Sequence, residues 1–83
     1  MLKLKIVSPE KVEYAGEAQS VTVPGQLGNF EILTNHAPLI SSLIAGKVEY
    51  VTADGNKFSI TVTGGVASVQ KNEVSLCIEK ALA

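Results

Sequence analysis

One histidine, one cysteine, eight carboxylates and seven lysines are the groups in these 83 residues from which acid–base, nucleophilic or metal chemistry could be built. His36 has no second histidine, and no cysteine or acid stands at metal-ligand spacing from it. Within Thr34-Asn35-His36-Ala37-Pro38 it reads as a residue that hydrogen-bonds inside a loop and fixes its shape. Cys77 lies in Val74-Ser75-Leu76-Cys77-Ile78, where a small packing hydrophobe is expected. A lone cysteine makes no internal disulfide, and no local base or cation is at hand to activate its thiol. The acids Glu10, Glu13, Glu17, Glu31, Glu49, Asp54, Glu73 and Glu79 fall on turns or on the polar phase of alternating runs. Nothing pairs two of them as acid and base, and Glu31 stands apart only through its loop. Gly25-Gln26-Leu27-Gly28 matches neither GxGxxG nor a phosphate-binding loop, has no Lys-Ser/Thr after it and opens no helical pattern. The expectation is no catalytic residue, no cofactor and no metal: not an enzyme.

Composition narrows the remaining classes. Eighty-three residues allow one small domain, 1–83, with a single core. An apolar fraction of 46% is that of a globular chain, not a disordered one. Seven lysines against eight acids, with no arginine, lack the basic excess that nucleic-acid binding requires. Lys3 and Lys5 interrupt the apolar residues at the start, unlike a signal peptide, and no run approaches the roughly 20 apolar residues of a membrane span. A soluble, cytoplasmic protein that can attach to a membrane complex is expected.

The densest stretch of information is Val23 to Leu39, rich in glycine, proline and asparagine yet carrying Leu27 and Phe30. Apolar area left in water is unfavourable, so such a loop on a rigid frame suggests a contact surface. The frame is β. Leu2, Leu4 and Ile6 alternate with Lys3 and Lys5, and the same period recurs at Val12/Tyr14, Val48/Tyr50, Phe58/Ile60/Val62 and Val74/Leu76/Ile78. Ser8-Pro9-Glu10, Pro24-Gly25, Ala45-Gly46, Asp54-Gly55-Asn56, Thr63-Gly64-Gly65 and Lys71-Asn72-Glu73 separate the runs. Asp54-Gly55-Asn56 marks a hairpin. Leu39, Ile40, Leu43 and Ile44 fit a helical spacing, but the stretch is short and holds two serines, so it is assigned as a strand. About nine strands at this spacing predict an all-β sandwich or barrel.

An alternative from a different class is a carrier domain of the lipoyl or biotinyl type, also small and all-β, with a modified lysine at a hairpin tip. Lys57 stands one residue beyond Asp54-Gly55-Asn56. The aspartate or methionines that flank the lysine in those families are missing. Another small β-sandwich binding module is a further alternative.

Several segments in order carry a stronger resemblance: Ile6-Val7-Ser8-Pro9-Glu10, Val21-Thr22-Val23-Pro24-Gly25, Gly28-Asn29-Phe30-Glu31-Ile32-Leu33, Asn35-His36-Ala37-Pro38-Leu39 and Gly64-Gly65-Val66. Together they resemble the amino-terminal β-sandwich domain of F-type ATP synthase epsilon subunits, the counterparts of the mitochondrial delta subunit. The resemblance implies a flattened sandwich of ten strands without catalytic residues. It would sit in the central stalk at the cytoplasmic face of the membrane, joining the gamma subunit to the polar loops of the c-ring. In that family the loop corresponding to Gln26–Pro38 meets the ring, which assigns ring contacts to Asn29, Phe30, Glu31, His36, Ala37 and Pro38. An acidic residue frequent at the position of Asn29 is absent, leaving Glu31 as the substitute. Val7, Val51, Ala67 and Val69 lie out of phase with, or beside, the main core series and are the expected gamma-facing residues. The helical pair and ATP-binding signature that follow the sandwich in the family have no counterpart before Ala83, so neither ATP binding nor helix-based inhibition is expected of these residues.

Overall fold

The alternating runs form strands in the computed structural model, which describes residues 1–80. These are β1 (Leu2–Val7), β2 (Val12–Gly25), β3 (Gly28–Ile32), β4 (Leu39–Leu43), β5 (Gly46–Thr52), β6 (Lys57–Val62), β7 (Gly64–Gln70) and β8 (Glu73–Glu79). No helix occurs among the described residues. The count is eight, not nine or ten, because the runs at Val12–Tyr14 and Ser20–Val23 belong to one 14-residue strand. Pro24-Gly25 does not stop it: both pair with β3, at Asn29 and Gly28.

That long strand makes the sandwich. Its first half pairs with β1, from Leu2↔Ala18 to Ile6↔Tyr14, and its second half pairs with β3 on the same edge. Along the opposite edge run β5, paired at Ala18–Thr22, and β4, paired at Gly25↔Leu43. At Gln19 the register with β5 shifts by one residue. A bulge of this kind bends and twists a strand, and here the bend carries β2 from one layer into the other. One layer holds β1, β8, β7 and β4, with β1 parallel to β8; the other holds β3, β5 and β6. The body is flattened, 33 × 26 × 18 Å in Cα extent.

Strand alternation then selects the core. Leu2, Leu4 and Ile6 of β1, Val74, Leu76 and Ile78 of β8, and Val48 and Tyr50 of β5 point inward and join one cluster with Val21, Val23, Ile32 and Val62. Val12, Phe58 and Cys77 fall short of burial, Val12 because it stands at the exposed start of β2. Phe58 shares the inward phase of Val62 but is 49% exposed, because β6 ends the sheet and no strand covers its outer side. Its ring stacks on Tyr50 at 5.5 Å between centroids, and Tyr50 meets Tyr14 at 4.9 Å. Cys77 is exposed rather than packed, because Leu76 and Ile78 take the inward positions of β8.

Gly65 explains why two glycines stand between β6 and β7. Its φ is 151°, and a Cβ there would lie 2.4 Å from the carbonyl oxygen of Cys77 and 3.0 Å from Cα of Ile78. Backbone crosses backbone at this corner, so no side chain fits.

Candidate partner-docking surface

Residues 26 to 38 form two separate structures with a strand between them. Gln26 and Leu27 are the two loop residues of the β2–β3 hairpin, closed by the Gly25↔Gly28 pair, with the reversal completed by Gly28 at φ 125°. Leu27 is fully exposed at its apex. Phe30 is not free in the way the sequence suggested. Its ring lies against Gly25, where a Cβ would come within 2.8 Å of Cε1, and it packs on the core edge. Leu27, Asn29 and Phe30 face Ile40, Ser41 and Ser42 of β4 across an open groove of about 520 Å³. β3 and β4 are the strands at which the two layers part on this side, so the groove is the open flank of the sandwich.

Asn29 and Glu31 alternate with Phe30 and point outward from β3. Glu31 stands beside Thr22, whose other neighbour is Glu49, so two carboxylates flank one threonine on that outer face. It does not share the groove with Leu27 and Ile40.

The β3–β4 connection holds Leu33 to Pro38. His36 N–H donates to the Leu33 carbonyl at 3.1 Å, and His36 Nδ1 donates to the Ala37 carbonyl at 2.8 Å. The ring therefore braces its own loop, as its sequence context suggested, while Ala37 and Pro38 stay exposed. Asn35, with φ 67°, donates its backbone N–H to Oδ1 of Asn72 at 2.6 Å.

The residues expected to face gamma divide. Ala67 and Val69 are core residues, since β7 turns them inward between Leu76 and Val74 of β8 and Ser41 and Leu39 of β4. Val66, next to them, is the exposed one. Val7 and Val51 remain partly exposed but lie on the outer faces of different layers, so one flat partner surface cannot cover both. Val7 belongs to a cross-strand row, Val7–Cys77–Val66–Ser42, with Ile40 in the adjoining row. Of these the sequence reading named only Val7 as partner-facing; Cys77, Val66 and Ile40 escaped it. The signal available was two adjacent apolar residues in a short strand, Leu39-Ile40, of which one must point outward.

Two acids are held by side-chain hydrogen bonds: Asp54, which accepts from Thr52 and Asn56 in the β5–β6 turn, and Glu13. Glu13 Oε2 accepts from the Ser8 hydroxyl at 2.9 Å, and Oε1 lies 3.3 Å from Lys80 Nζ. The Ser8 hydrogen bond and then Lys80 hold this carboxyl below the ordinary glutamate range. Among the described residues, no three histidine, cysteine or acidic side chains gather as metal ligands would.

A family model for the ATP synthase Delta/Epsilon chain β-sandwich domain matches residues 1–83. The chain belongs to this family. Similar relatives are ATP synthase epsilon chains of Bordetella petrii, 42% identical over 98% of this chain and 57% of that one, and of Nitratiruptor sp., 41% identical over 98% and 63%. The chain thus spans about three-fifths of the length of these curated relatives. Among solved structures, a chain of the Euglena gracilis mitochondrial ATP synthase superposes with TM-score 0.89 at 20% identity, over 98% of this chain and 52% of that one. A chain of the Tetrahymena thermophila mitochondrial ATP synthase central stalk and c-ring gives 0.80 at 14%, over 95% and 63%. At these identities the likeness is one of fold. Family membership displaces the carrier-domain alternative, and Lys57 pairs with Val51 in the β5–β6 ladder instead of standing at the turn.

Proposed function

We propose that this domain is a non-catalytic rotor element of an F-type ATP synthase, peripheral to the membrane at its cytoplasmic face, coupling the gamma subunit to the c-ring. The observation that carries the reading is the placement of the apolar surface that folding leaves in water. Leu27 and Ile40 flank the groove with Phe30, and Val66 continues it along the outer face of β7 and β4. Leu27, Ile40 and Val66 are three of the exposed large apolar residues and adjoin on one flank, and a contiguous apolar patch of this kind marks a partner contact.

The two partners take different parts of this flank. The β2–β3 tip and the β3–β4 loop, with Asn29, Phe30, Glu31, His36, Ala37 and Pro38, serve the polar loops of the c-ring, and Leu27 joins them. Gamma takes the outer face of β1, β8, β7 and β4, where Val7, Cys77, Val66 and Ile40 make a flat surface of small and apolar side chains. On the opposite outer face Lys47, Glu49 and Lys57 stay in water, and Glu31, at the β3 edge of that face, is the one residue there assigned to the c-ring. Val51, on that face, has no gamma role in this arrangement.

Coupling asks for stiffness rather than chemistry. A close-packed core transmits load without deforming, and β2 joins both layers as a single strand. The test is reconstitution of the complex with this protein, gamma and the c-ring. Leu27→Ser with Phe30→Ser should release the c-ring, and Val66→Asp should weaken gamma retention, each domain remaining folded. Full retention of both partners and of proton-driven ATP synthesis in these variants would refute the assignment.

A further inference from the structure

The loop bearing His36, Ala37 and Pro38 is held by a residue 36 positions further along the chain. Asn72 occupies the β7–β8 turn at φ 62°, following Lys71 at φ 51°. Its Oδ1 accepts the Asn35 backbone N–H at 2.6 Å, and its Nδ2 reaches Oδ1 of Asn35 at 3.4 Å. Its carbonyl accepts from Lys3 N–H at 2.8 Å. One residue thus ties together the β3–β4 loop, the β7–β8 hairpin and the start of β1.

The chemistry of the pair is specific. Both asparagines sit in the left-handed region, which asparagine tolerates better than most residues. A carboxamide also supplies an acceptor and a donor at once, as this two-way contact uses them. The hairpin turn itself has no need of the side chain, because glycine suits a left-handed turn position at least as well. What the Asn72 side chain holds is the loop. Asn35 precedes His36, and the His36 bonds to Leu33 and Ala37 make the short segment a rigid unit once Asn35 is fixed.

We infer that Asn72 is a positioning residue for the docking surface: through Asn35 it sets where His36, Ala37 and Pro38 are presented to the c-ring. The inference rests on the docking role proposed above for that loop. It separates into a local effect on the domain and a consequence for the complex, and each has its own readout.

Asn72→Gly keeps the turn's backbone geometry and deletes the clasp, whereas Asn72→Asp keeps the Oδ1 acceptor for the Asn35 amide. Amide hydrogen exchange on the 83-residue protein should show Asn35 and His36 exchanging roughly three- to tenfold faster in Asn72→Gly, the effect of one net hydrogen bond. Val48 and Tyr50 amides should be unchanged, and Asn72→Asp should return Asn35 toward the original rate. In the reconstituted complex, c-ring retention should fall in Asn72→Gly and recover in Asn72→Asp. Unchanged exchange at Asn35, or equal acceleration at every amide, would overturn the inference. So would a complex in which His36→Ala releases the ring and Asn72→Gly does not. If exchange shifts as expected while His36→Ala and Asn72→Gly both leave the ring bound, the docking reading of the loop fails, and the presentation role fails with it.

Discussion

Replacing Gly65 by alanine tests the tightest point of the fold. The added Cβ would stand 2.4 Å from the Cys77 carbonyl oxygen and 3.0 Å from Cα of Ile78. Both obstacles are backbone, so no side-chain rotation relieves them, and β7 must move away from β8. A non-glycine residue at φ 151° adds conformational strain of about 1–3 kcal/mol, and overpacking adds about 1–3 kcal/mol more. Gly55, in the β5–β6 turn, is the control: its φ is 88°, but a Cβ there meets nothing within 4 Å. Gly55→Ala therefore carries the strain alone, and Gly65→Ala should be the worse by about 1–3 kcal/mol. For a domain of this size that difference corresponds to about 4–24 °C in Tm. It is a large share of the roughly 4–12 kcal/mol that about 0.05–0.15 kcal/mol per residue allows in total. Thermal and urea unfolding followed by circular dichroism measures both variants under identical conditions. Equal losses in the two, with unchanged m-values, would show that the contact with β8 yields without cost and refute the steric argument.

Core truncation should grade with burial rather than with residue size. Leu76→Ala, fully buried in β8, should lose about 2–5 kcal/mol, while Phe58→Ala, half exposed, should lose about 1–2 kcal/mol through its Tyr50 contact and partial burial; urea midpoints at constant m decide this. Glu13, with its folded-state pKa lowered, contributes stability that is present above the unfolded glutamate value of about 4.3 and lost as pH falls through the folded value. The stability gap between the native protein and Glu13→Gln should therefore be open at neutral pH and close in acid, and a gap that widens on acidification would contradict the sign. Leu27→Ser should change stability by less than about 0.5 kcal/mol, since the side chain touches only water in the free domain, while reducing ring retention in the assembled complex.

Much of the frame was legible in the chain itself. A period of two is a local property of each strand, so β1, β5 and β8 and their inward residues could be read without knowing what they pair with. Asp54-Gly55-Asn56 and the glycine corner at 64–65 were legible for the same reason, because turn chemistry acts over a few residues. Leu39–Leu43 proved to be a strand despite its helical spacing, consistent with pairing against β7.

What depended on tertiary structure was everything set by the partner strand. Residue order does not say that β2 bends at Gln19 and serves two layers, because a bulge is defined only against the strand opposite. Nor does it say that β6 ends the sheet, which leaves Phe58 half in water while Val62, of the same phase, is buried. Ala67 and Val69 could be told from Val66 only once β7 had a defined inner side. The candidate surface follows the same division: the loop around Leu27 and His36 announced itself by composition, a local signal. Its company, Ile40 across the groove and Asn72 beneath the loop, came from segments that only folding brings near.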